Sequence, residues 1–192
     1  MILEGIVTSL DASGRLNVAP MGPLVTPEFS TLILRPFQSS QTFQNLKAHP
    51  CGVLHVIDDV LLIAQAALNQ LPAEPETFPA EKVAGRVLAA CCRWFEFEIT
   101  AGDDSQPRTH LEARVIHSGR LRDFFGFNRA KHAVLEATIL ATRLHLLPQT
   151  DVRAELHRLA PLIEKTAGPQ EHAAWTLVCR FIDDWPTQQK IS

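Results

Sequence analysis

No marked excess of charge of either sign runs through this sequence: its formal net charge is −3 over 192 residues. A chain without a broad basic field has little to hold a nucleic-acid backbone by, so nucleic acid is not an expected partner. Long apolar runs are missing as well. No stretch reaches the roughly 18 residues that would cross a bilayer, and Met1-Ile2-Leu3-Glu4-Gly5 lacks the basic start and apolar run of a targeting segment. The expectation is a cytoplasmic protein with no membrane partner. Cysteine is scarce, and its four positions, Cys51, Cys91, Cys92 and Cys179, show no CxxC spacing. They read as reduced, buried thiols rather than a disulfide framework. The eight histidines are dispersed without HxH or HExxH, so no metal site is expected. Internal repeats and low-complexity tracts are absent.

What remains is an ordinary globular composition, 46% hydrophobic and 20% charged, long enough for one substantial core with a smaller appendage. Leu3 to Leu10 is rich in β-branched residues, and Asp11-Ala12-Ser13-Gly14 supplies turn chemistry before Leu16 to Pro20, which predicts an opening hairpin. Thr31 to Leu34 predicts a strand that Pro36 must end. Cys51 to Ile57 reads as a buried strand, with His55 as a satisfied core residue. Asp58 and Asp59 then read as caps of an apolar helix, Val60 to Leu68, in preference to a metal or acid/base pair. Asn69 to Glu81, with its three prolines, predicts a surface loop. Val83 to Ile99 and Arg108 to His117 predict a second, longer hairpin. Asn128 to Leu147 contains neither Gly nor Pro and predicts one long helix. Two more helices follow, over about 151–166 and 170–183, separated by Gly168-Pro169. On the long helix Arg129, Glu136 and Arg143 recur every seven residues beside His132, as a solvated face or as the lining of a pocket.

Two segments concentrate the chemistry. In LRPFQSSQTFQNL, Leu34 to Leu46, the guanidinium of Arg35, the hydroxyls of Ser39, Ser40 and Thr42 and the start of a short helix share one loop. Charged bidentate donor, neutral donors and helix N-terminus are what a phosphate monoester needs. Taken alone, the loop reads equally as a surface arginine beside an ordinary N-cap. The second segment is Asn17-Val18-Ala19-Pro20-Met21-Gly22, where small residues and a proline leave room for a flat ring against the backbone, or mark a plain strand end. Asn128 and Lys131, at the start of the long helix beside aromatic residues, suit the edge of an anionic ligand.

These segments carry a resemblance. Glu4-Gly5-Ile6-Val7-Thr8, the Asn17 to Gly22 segment, Arg35-Pro36-Phe37, Ser40-Gln41-Thr42 and Asn45-Leu46 resemble the FMN-binding split-barrel superfamily, flavin reductase-like. Gly126 to Lys131 and Glu136 to His145 are similar to a branch of it labelled as of unknown function. The resemblance implies an α+β fold: a Greek-key split β-barrel of about six strands over 1–120, with a C-terminal three-helix appendage over 121–192. It implies a homodimer with FMN near the subunit interface. Arg35, Ser39, Ser40 and Thr42 would hold the phosphate, with Phe37 alongside; the backbone of Asn17, Val18, Ala19, Pro20 and Met21 would line the isoalloxazine, with Pro20 and Met21 on its face. The implied activity is that of an FMN-dependent oxidoreductase acting on a small molecule, with a nicotinamide or other small-molecule hydride donor. The alternative is a non-catalytic FMN carrier or sensor. His55, His117 and His132 are the available proton donors, and none is assigned a role.

Overall fold

The computed structural model describes residues 1–188. By contacts the chain divides into two units, Met1–Asp58 with Ala73–Phe124, and Asp59–Pro72 with Phe125–Ser192.

The first unit opens with the expected hairpin, β1 (Gly5–Leu10) and β2 (Leu16–Met21), in full register from Gly5↔Met21 to Leu10↔Leu16. Asp11 makes its turn: one carboxylate oxygen accepts the N–H groups of Ser13 and Arg15, and Gly14 supplies a φ of 81°. Then come β3 (Leu24–Val25), β4 (Thr31–Leu34), α1 (Gln41–Ala48), β5 (Cys51–Val56), β6 (Thr77–Pro79), β7 (Arg86–Leu88), β8 (Arg93–Asp103) and β9 (His110–Arg120). Seven strands form one antiparallel sheet in the order β2-β1-β5-β8-β9-β4-β3. Because β5 lies between β1 and β8, the path is a Greek key rather than a meander. Two register shifts in the β8–β9 ladder, at Glu96/Phe97 and Ile99/Ala101, sharpen the twist that curls the sheet into a half-barrel. The segment before β1 meets β3 through Ile2↔Leu24, and Leu3 N–H donates to Pro23 O at 3.1 Å, which brings the far edge round. Inside sit Val7, Leu32, Leu34, Leu54, Phe95 and Phe97, with Phe43 and Leu46 of α1.

The split barrel is therefore present with seven strands instead of about six, the addition being the two-residue β3. The proline-rich segment is not wholly loop: β6 pairs with β7 as a separate hairpin. Its turn is anchored on Glu96, a fully buried carboxylate that accepts the backbone N–H groups of Glu81, Lys82 and Val83 at 2.9, 2.6 and 3.2 Å and the Trp94 indole N–H at 3.2 Å. The Trp94 ring lies over Gly119, where any Cβ would collide with it.

Among the described residues the second unit holds four helices: α2 (Val60–Ala67), α3 (Arg129–Ala141), α4 (Gln149–Thr166) and α5 (Pro169–Gln188). Their core is Val60, Ala64, Ala130, Ala133, Val134, Ala137, Val152, Ile163, Ala174, Val178 and Ile182. The acidic pair before α2 divides its work. Asp59 caps the helix, accepting Leu62 N–H at 2.9 Å, while Asp58 takes a bidentate bond from the Arg122 guanidinium. The appendage thus recruits α2, which a boundary at 120/121 would leave with the barrel. Helix α3 ends at Ala141, six residues short of Leu147. Beyond it the amides of Arg143 and Leu146 turn to carbonyls three residues back, at 2.9 and 2.8 Å, and Pro148 follows. Arg129, His132, Glu136 and Arg143 are exposed within the chain. Among the described residues no helix is long and apolar enough to cross a membrane.

Candidate cofactor site

Pro36 stops β4, and the chain is strapped to the residues ahead of β9. Thr109 donates both its N–H and its hydroxyl to Pro36 O at 3.0 and 2.8 Å; Gln38 N–H donates to Pro107 O at 2.9 Å. Ser40 then closes the loop. Its N–H and hydroxyl donate to Phe37 O at 2.9 and 2.7 Å, and the same hydroxyl caps α1 by accepting Phe43 N–H at 3.2 Å. With Phe43 satisfied, the N–H groups of Gln41 and Thr42 are left without intrahelical acceptors.

This strapping frames a cavity of about 260 Å³ lined by Ala19, Pro20, Met21, Gly22, Arg35, Pro36, Phe37, Ser40, Thr42 and Arg108. The Arg35 Nε is buried and has no hydrogen-bond partner. An unpartnered guanidinium nitrogen out of water is costly, and an acceptor in the cavity would remove that cost. Among the described residues no ion pair engages Arg35. Arg108 joins it: its guanidinium lies 5.8 Å from the Phe37 ring centroid, and its Nε donates to Arg35 O at 3.4 Å. Among the described residues the lining carries two guanidinium groups and no carboxylate. Together with the free amides of α1, that donor set fits a dianionic phosphate monoester. At about 260 Å³ the cavity is smaller than the roughly 300–1,000 Å³ of whole-ligand pockets, which suits the phosphate end of a longer molecule.

Seven of the expected residues are therefore brought together: Ala19, Pro20, Met21, Arg35, Phe37, Ser40 and Thr42. Asn17 lies behind them, with its amide nitrogen 3.0 Å from the Thr42 hydroxyl. Val18 is half-buried on β2 and Ser39 is exposed; neither lines the cavity. The Ser40 hydroxyl proton is committed to Phe37 O, so Ser40 shapes the loop through its cap. Asn128 and Lys131 belong to the helical unit. Asn128 caps α3 and donates to Thr166 O at 3.0 Å, while the Lys131 ammonium pairs with Glu171 at 2.7 Å. Arg108 was not anticipated; it lies 73 residues from Arg35, and the pairing of β4 with β9, continued by a bridge between Phe37 and Arg108, delivers it.

None of the three candidate histidines lines the cavity. His55 is fully buried; its Nδ1–H donates to Ile6 O at 3.0 Å and its Nε2 accepts Leu88 N–H at 3.1 Å. Desolvation pulls its pKa down to about 4, and it remains neutral. His117 is within 3.4 Å of Glu81, and His132 is exposed beside Phe127. The four cysteines are free thiols, and burial pushes Cys91 up to about 11. Among the described residues no group of three His, Cys, Asp or Glu side chains is placed to hold a metal ion.

Similar architectures exist among solved structures. An FMN-bound protein of the DUF447 family from Methanosarcina mazei is 24% identical, with a TM-score of 0.79 over 94% of each chain. Nitrilotriacetate monooxygenase component B from Bacillus cereus is 18% identical, with a TM-score of 0.53 over 62% of this chain and 69% of that one. An NADH:FAD oxidoreductase from Streptomyces globisporus, in complex with NAD and FAD fragments, is 13% identical, with a TM-score of 0.51 over 62% of this chain and 74% of that one. At these identities the likeness establishes the fold, that of the flavin reductase-like split barrels. No curated protein matches the sequence. The family model described as protein of unknown function (DUF447), N-terminal domain, matches residues 3–122, and its companion for the remainder matches residues 128–180. With every strand, the strapped loop, α2 to α4 and the first part of α5 falling within those two spans, the chain belongs to the DUF447 family.

Proposed function

We propose that this protein binds FMN, with the flavin phosphate in the Arg35 cavity, and works as an FMN-dependent oxidoreductase of the flavin reductase-like type on a small molecule. The observation that carries the reading is the buried, unpartnered Arg35 Nε on a cavity with two guanidinium groups and no carboxylate. The FMN-bound family member and the NADH:FAD oxidoreductase of like fold support the choice of flavin and of a nicotinamide donor.

In this reading Arg35 and Arg108 neutralise the phosphate, the α1 amides and Thr42 add directed donors, and Ala19, Pro20 and Met21 form the apolar wall toward the ring. Asn128 and Lys131 have no part in this reading: Asn128 donates to Thr166 O and Lys131 pairs with Glu171. The bound flavin itself would supply hydride chemistry, so the protein's task is to hold and orient it. Among the described residues the cavity lining contains no His, Asp, Glu or Cys, in keeping with a site that moves no proton of its own. The reading extends to a homodimer with FMN near the subunit interface.

Purified protein with FMN gives the test. The expected result is flavin absorbance that bleaches on anaerobic addition of NADH or NADPH. Bound flavin that no donor reduces would point to a carrier, and failure to retain FMN at all would overturn the reading.

A further inference from the structure

Behind the cavity a chain of polar side chains runs through the barrel wall. The Gln41 amide donates to Asn45 Oδ1 at 2.6 Å, the Asn45 amide donates to Ser9 Oγ at 3.1 Å, and the Asn17 amide donates to Ser9 Oγ at 3.3 Å and to Thr42 Oγ1 at 3.0 Å. Ser9, Thr42 and Asn45 are each at least 97% buried. Buried polar groups in such number are retained only when their bonding is mutually satisfied.

The direction of bonding matters at Thr42. A hydroxyl has one proton and two acceptor sites. Here Asn17 occupies an acceptor site, and no acceptor among the described residues takes the Thr42 proton. Ser40, the other hydroxyl on the cavity, has its proton committed to Phe37 O. Thr42 is thus the one cavity hydroxyl, among the described residues, with a proton to offer a ligand.

We propose that Asn17, held in the barrel wall by Ser9, is a positioning residue for phosphate: its amide donates to Thr42 and so leaves the Thr42 hydroxyl as a donor toward an acceptor-only anionic group. Asn17 acts through Thr42 and not through the flavin ring. The arrangement selects a phosphorylated flavin over the unphosphorylated one. It rests on the proposed FMN reading, and its test separates the two.

FMN and riboflavin affinities are measured by quenching of flavin fluorescence. Thr42→Val keeps the shape and removes the hydroxyl; it weakens FMN about tenfold, as for one hydrogen bond to a charged group, and leaves riboflavin unchanged. Thr42→Ser restores the donor and keeps FMN within about twofold of the parent. Asn17→Leu weakens FMN to a similar extent in the parent and adds nothing in the Thr42→Val background. Additive losses, equal losses for riboflavin, or unchanged FMN affinity in Thr42→Val would each overturn the proposal. Where Asn17→Leu fails to fold, Asn17→Ala takes its place with the same expectation in both backgrounds. If Arg35→Ala weakens FMN while Thr42→Val does not, only the role of Asn17 and Thr42 is refuted; if neither matters, the phosphate reading itself falls.

Discussion

At single residues the structure separates side chains that serve the fold from those facing the cavity. His55 has both ring nitrogens bonded inside the barrel and a pKa drawn down to about 4 by desolvation. Between about 6.5 and about 4 the unfolded chain binds a proton that the folded chain refuses, so the stability it supports is complete above about 6.5 and falls on acidification. Between pH 7 and pH 4.5 the expected loss is about 2 kcal/mol, read by urea unfolding at the two values. His55→Leu should flatten this part of the profile; a parent protein equally stable at both values would contradict the assignment. Arg35 was legible as a cavity residue because Pro36 and the hydroxyls around it are local signals. Arg108 was not, because nothing near Pro107 marks it; long-range pairing of β4 with β9 puts it there.

Secondary-structure elements were most legible where local patterns and burial agree. The opening hairpin, β4, β5 and the alternation of β9 follow from turn chemistry and period-two burial. The β6–β7 hairpin was missed because its stability comes from elsewhere: the Glu96 carboxylate on β8 accepts three amides of the β6–β7 turn. Burial raises the Glu96 pKa, but those donors outweigh it and hold the group below the ordinary carboxylate range. Glu96→Gln turns one acceptor into a donor facing N–H groups and should cost about 2 kcal/mol or more, read as a lower urea midpoint. In the helical unit, Lys131 and Glu171 pair at 2.7 Å with side chains only 12% and 9% exposed. Removing one partner strands a charge, so Lys131→Met should destabilise by about 3 kcal/mol. The double change Lys131→Met with Glu171→Met should recover a large part of it. Equal losses in single and double variants would show that the pair is not the source.

Over the whole molecule, a half-barrel and a helical unit were both readable from the change of period after Ser118. The membership of α2 in the helical unit was not, since its apolar face fits either core and only tertiary contacts choose. The central claim is that one end of the barrel is built to grip a phosphate attached to a flavin. Comparing FMN with riboflavin affinity in the parent protein and in Arg35→Ala tests it most directly. The expected result is a parent preference for FMN that shrinks on substitution, with FMN affinity falling by about 2 kcal/mol or more, roughly thirtyfold. Equal affinity for the two flavins in the parent, or an FMN affinity untouched by losing Arg35, would contradict it.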